Sequence, residues 1–86
     1  MLGFDVRVAT TPWSRLLGLA LLRRERAGDG LLIPRCRSIH TFGMRFHLDV
    51  AFLDADGRVI DLRREVPPCR IVRCRGASSV LELPSP

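Results

Sequence analysis

Six residues, Leu48 to Leu53, restrict the fold of this chain more than any other segment. The run Leu48-Asp49-Val50-Ala51-Phe52-Leu53 is apolar except for Asp49, so it reads as a strand buried on both faces. Asp54-Ala55-Asp56-Gly57 follows as a hairpin turn. Arg58 to Val66 is then the return strand, and its polar tail places it at a sheet edge. Pro67-Pro68 ends it, because proline cannot donate to a ladder.

The remaining segments supply further short strands and one helix. Phe4, Val6 and Val8 alternate with Asp5, Arg7 and Ala9, which predicts a first strand with one buried face. Thr11 suits a helix cap and Pro12 the first helical position. Trp13, Leu16, Leu17, Ala20 and Leu21 then fall on one helical stripe, with Arg15, Arg23 and Arg24 off it. Arg23 to Gly30 is a loop, and Gly30 to Ile33 is a strand stopped by Pro34. Ser38 to Met44 is extended, and Ile71-Val72 and Ser79 to Leu83 are two more strands. The chain is long enough for one domain, residues 1–86. Its pattern predicts a mainly β fold: a small antiparallel β barrel or sandwich with one short N-terminal helix.

Composition excludes several classes. With 47% hydrophobic residues the chain is globular rather than disordered. No apolar run approaches the roughly 18 residues of a membrane span. Met1 to Asp5 lacks the layout of a signal peptide, so a cytoplasmic protein is expected unless an export segment precedes it. The net charge is +5, and all fourteen basic residues are arginine, a bias typical of a GC-rich genome. Arginine also binds phosphate and carboxylate in bidentate fashion. The arginines are spread along the chain with few aromatics among them, which argues against nucleic-acid binding. Cys36, Cys69 and Cys74 are odd in number, which argues against an extracellular disulfide framework and for buried free thiols.

The order of motifs resembles the bacterial and archaeal family called domain of unknown function 192. Arg15-Leu16-Leu17-Gly18-Leu19 and Gly30-Leu31-Leu32-Ile33 are similar to its first two motifs. Its most specific part is matched by Ile39-His40-Thr41-Phe42-Gly43-Met44-Arg45-Phe46, then Leu48-Asp49-Val50 and Phe52-Leu53-Asp54. Gly57-Arg58-Val59-Ile60 and Val80-Leu81-Glu82-Leu83 close the series. The chain resembles the His-Thr branch, carries His47 where a proline is usual, and resembles a member with a shortened C-terminus. The resemblance implies a mainly β fold and no activity, so it carries over no catalytic residue.

Two histidines, a methionine and an aspartate crowd the stretch from Ser38 to Gly57. His40 and Asp49 together would make an acid–base pair, with the carboxylate orienting the imidazole. The alternative for His40 is a local bond to the backbone at a strand end. Asp49 would be costly if buried alone, and Arg15 is the expected partner in an ion pair joining helix to sheet. A backbone-capping role for Asp49 is the competing expectation. Met44 and Phe46 suit either core packing or a pocket floor. Cys36 and His40 are spaced C-x3-H without a C-x2-C pair, so no metal site is expected.

These residues predict non-catalytic binding of a small molecule, peptide or partner protein, with no cofactor. The candidate ligand-binding residues are His40, Thr41, Met44 and Asp49, with Arg15 or Arg45 supplying positive charge. The alternatives are a small enzyme using His40 and Asp49, and an accessory subunit pairing through a strand edge.

Overall fold

The computed structural model describes residues 6–9 and 30–86. Seven strands run in chain order: β1 Val6–Val8, β2 Gly30–Pro34, β3 Ser38–His40, β4 Leu48–Leu53, β5 Val59–Val66, β6 Ile71–Arg73 and β7 Ser79–Pro84. Five form one sheet in the order β1-β2-β7-β4-β5, and β3 and β6 form a second. All pairs are antiparallel except β1 with β2, where Val6 lies beside Gly30 and Val8 beside Leu32.

Among the described residues the large sheet ends at β1 and β5 and does not close on itself. The described architecture is therefore two layers rather than the barrel alternative, because β3 and β6 pair with each other instead of bridging the two edges. The expected N-terminal helix lies outside the described residues. No helix among the described residues is long and apolar enough to cross a membrane.

Strand β4 sits where its apolar run requires, with β7 on one side and β5 on the other. Its alternate side chains point to opposite faces, and Leu48 through Phe52 are all buried. Ile33, Val50, Phe52 and Val80 of the large sheet share one buried cluster with Ile39 and Val72 of the small sheet. That cluster holds the two layers together through removal of apolar surface from water.

The β4–β5 hairpin turns as its sequence predicts. The Asp54 N–H donates to the Arg58 carbonyl at 2.9 Å, and Gly57 takes a φ of +82° that favours glycine. Asp54 Oδ1 also accepts the N–H groups of Asp56 and Arg58, each at 2.9 Å. Beyond the turn β5 is irregular. Its register slips between Phe52 and Leu53 of β4, and again between Leu48 and Val50.

At the other side of the sheet β2 and β7 lie unusually close. A Cβ added to Gly30 would sit 2.7 Å from Leu83 Cδ2 and 2.8 Å from the Glu82 carbonyl oxygen. The second contact is with backbone and cannot rotate away. Gly30→Ala is expected to lower the unfolding free energy by about 1–3 kcal/mol, read as a lower urea midpoint at an unchanged m value. An unchanged midpoint would show that β2 and β7 separate without cost.

Candidate functional site

The motif around His40 is built into the architecture. Thr41 is fully buried just after β3. Its hydroxyl donates to the Pro67 carbonyl at 2.8 Å and accepts the Arg70 N–H at 2.7 Å. Its own N–H donates to the Arg70 carbonyl at 2.8 Å, and its carbonyl accepts the N–H groups of Met44 and Cys69. One small residue thus fastens the β3–β4 connection to the β5–β6 connection. Threonine suits the position because its hydroxyl both donates and accepts, and buried backbone groups need both.

The neighbours of Thr41 follow the same logic. Gly43 has a φ of +80° within the turn that the Met44 N–H closes. Met44 is buried in the core cluster. His40 Nδ1 accepts the Phe42 N–H at 3.2 Å, and the two rings stack with centroids 5.6 Å apart. This bond directs the Nδ1 lone pair of the ring at the backbone. Arg45 is exposed in the loop before β4.

Asp49 is only 8% exposed. The second register slip puts Arg64 and Glu65 of β5 together opposite it, between the pairs Leu48–Val66 and Val50–Arg63. Such a bulge leaves a backbone donor without a ladder partner. Glu65 takes a φ of +53° there, and its N–H donates to Asp49 Oδ1 at 2.9 Å. The Ser85 hydroxyl donates to the same oxygen at 2.7 Å. Arg64 Nε lies 3.2 Å from Oδ2. Burial pushes the Asp49 carboxyl up, but the Glu65 N–H, the Ser85 hydroxyl and Arg64 together hold it below its ordinary value. The expected partner, Arg15, lies outside the described residues. The named donors to Asp49 do not include His40.

The described residues form two surface concavities among others. One is a cleft of about 460 Å³ at the end of the β3–β6 pair, lined by Arg37, Ser38, Arg73, Cys74 and Arg75. Ser38 stands beside Arg73 in the ladder, and the Cys74 N–H donates to the Arg37 carbonyl at 2.8 Å. Three arginines from two distant chain segments thus line one concavity, and none of its described lining residues carries a carboxylate. Among the described residues, Arg37, Arg73 and Arg75 form no ion pair. The other concavity, about 420 Å³, runs between β5 and β6 and includes Leu62, Arg63, Arg64, Arg70 and Ile71. Its Arg63 is 2.8 Å from Asp61 and its Arg64 is tied to Asp49, so most of its charge is already neutralised.

A family model for domain of unknown function 192, described as an uncharacterized ACR, matches residues 2–85. The chain belongs to this family. The chain is also 34% identical over 83 residues to a UPF0127 protein of Thermococcus sibiricus, a match that covers 92% of this chain and 54% of that protein. It therefore spans about half the length of that relative. The fold is similar to a protein of unknown function from Novosphingobium aromaticivorans, with a TM-score of 0.75, 22% identity, and 95% of this chain and 64% of that one covered. It is equally similar to a Sinorhizobium meliloti protein provisionally designated a transcription regulator, with a TM-score of 0.74, 24% identity, and coverages of 93% and 67%. At these identities the solved structures speak for the fold alone.

In this member of the domain of unknown function 192 family, the thiols depart from the sequence expectation. Cys69 is exposed, while Cys36 and Cys74 are half-buried, and all three are free. Cys69 is turned outward by its position in the β5–β6 connection, where it takes a φ of +66° and its N–H is spent on Thr41. Among the described residues, no three His, Cys, Asp or Glu side chains gather as metal ligands. The arginine cleft was missed in the sequence because Arg37 is far along the chain from Arg73 and Arg75. The alternation of Arg73 and Arg75 around Cys74 was the local signal for it.

Two outcomes follow for the framework residues. Thr41→Val keeps the shape but removes the acceptor of the Arg70 N–H, and is expected to cost about 1–3 kcal/mol in denaturant unfolding. For Asp49 the folded-state pKa is depressed below 3.8, so its contribution is present at neutral pH and lost as pH falls below about 4. Asp49→Asn is expected to be less stable at pH 7 by about 1–3 kcal/mol, with a flatter decline of stability between pH 5 and pH 3. An unaltered acid profile in urea titrations of the variant would remove the role given to this carboxylate.

Proposed function

We propose that this protein is a non-catalytic binding module whose ligand is a small anionic molecule held in the Arg37–Arg73–Arg75 cleft. The observation that supports this reading is that three arginines with no ion pair among the described residues line one concavity, and that none of its described lining residues is a carboxylate. Like charges brought together repel, and the arrangement is relieved when an anion occupies it. The cleft volume is also in the range of ordinary small-molecule sites.

The enzymatic alternative has less to support it. His40 spends Nδ1 on the Phe42 N–H, and Asp49 is taken up by the bulge, Ser85 and Arg64. Within this reading Thr41, Met44 and Asp49 position the strands that carry the cleft, and His40 and Arg45 lie outside its lining. At the β5 edge the strand-edge alternative is opposed by the two register slips of that strand. They leave only Asp61 to Arg63 in regular pairing with β4, too short a stretch to template a partner strand.

The test is a thermal-shift panel of phosphate, sulfate, citrate and malonate at constant ionic strength, on the wild type and on the Arg37→Ala/Arg73→Ala/Arg75→Ala variant. At tenfold excess over Kd a bound anion is expected to raise the wild-type Tm by about 5 °C or more, with no rise in the variant. Equal responses in both proteins, or none in either, would overturn the proposal.

A further inference from the structure

The cleft's donors are more numerous than one carboxylate can use. A guanidinium presents five N–H donors in a planar fork, and three arginines line this cleft together with Ser38. A carboxylate offers two oxygens and a single negative charge. A phosphate group offers three terminal oxygens and about −1.5 to −2 charges at neutral pH. Three arginines with no carboxylate among the described lining match the second in both charge and acceptor count, and a dicarboxylate such as malonate, though equal in charge, spreads its oxygens over two centres where phosphate holds them on one.

Resting on the anion-binding reading above, we infer that the ligand of this cleft is a small molecule that bears a phosphate group. Arg73 lies in register with Ser38, so the β3–β6 pair fixes these two donors side by side. Arg37 leads into β3, and Arg75 follows β6 by two residues. The Cys74 N–H bond to the Arg37 carbonyl closes this end of the pair and keeps the two segments together. The phosphate is therefore gripped from both strands rather than from one loop. A cleft of about 460 Å³ has room beyond the phosphate for an organic substituent.

The experiment is calorimetric titration of the full chain with inorganic phosphate, glycerol phosphate and malonate at fixed ionic strength. Either phosphate compound is expected to bind at least about tenfold more tightly than malonate. Arg73→Ala and Arg75→Ala are each expected to weaken phosphate binding about tenfold or more. Arg58→Ala, which removes the same charge from the hairpin turn, is expected to change it less than about twofold. Because all of these arginines are exposed, circular dichroism should show the variants folded, and two cleft variants guard against a local failure of one. Tighter binding of glycerol phosphate than of the free ion would identify an ester, and the reverse would identify the ion itself. Malonate binding as tightly as phosphate would overturn the phosphate assignment while leaving the anion-binding reading intact. Equal losses in Arg58→Ala and Arg73→Ala would overturn both, as would no binding of any anion.

Discussion

The carboxylate of Asp49 is the interaction on which the large sheet depends. It lies in a central strand whose other five residues are apolar, a setting in which a lone charge would be prohibitive. The charge is tolerated because the bulge in β5 and the C-terminal segment supply it with three donors. The dependence runs in both directions. Without the carboxylate the Glu65 N–H has no ladder partner, and a non-glycine residue at positive φ has nothing to hold it. Asp49 thereby joins β4, the bend of β5 and Ser85 into one hydrogen-bonded unit, leaving none of its buried polar atoms unsatisfied.

Thr41 does for the smaller layer what Asp49 does for the larger one. Both are buried polar residues used for their acceptors, and both bind backbone that the sheets themselves leave over. Two of the polar residues of the Ser38–Gly57 stretch, Thr41 and Asp49, thus serve connections between strands. Three surface arginines, which form no ion pair among the described residues, line the cleft at the end of β3 and β6.

The sequence was most legible where the determinants are local. The span of β4 is the apolar run itself, and Asp54 and Gly57 form the turn that their side chains and backbone freedom favour. The partners of Asp49 were not legible, because a bulge is a matter of counting residues against a neighbouring strand, not a pattern within one strand. Arg63-Arg64-Glu65 interrupts the alternation of β5, which marks an irregularity without saying what fills it. The division into two sheets was equally hidden. β3 and β6 have three residues each, too few for periodicity to indicate their layer, and their pairing is decided by Thr41 and the shared core.

The bends in β5 also bear on how copies of this protein meet at high concentration. Val59, Ile60 and Leu62 leave considerable apolar surface exposed on an outer strand, a composition that in a straight strand would favour stacking into fibres. Fibre growth needs an uninterrupted row of backbone donors and acceptors on a flat edge. Two slips in register, one near each end of β5, deny it that row, so the strand can keep its apolar side chains in water without recruiting its own kind.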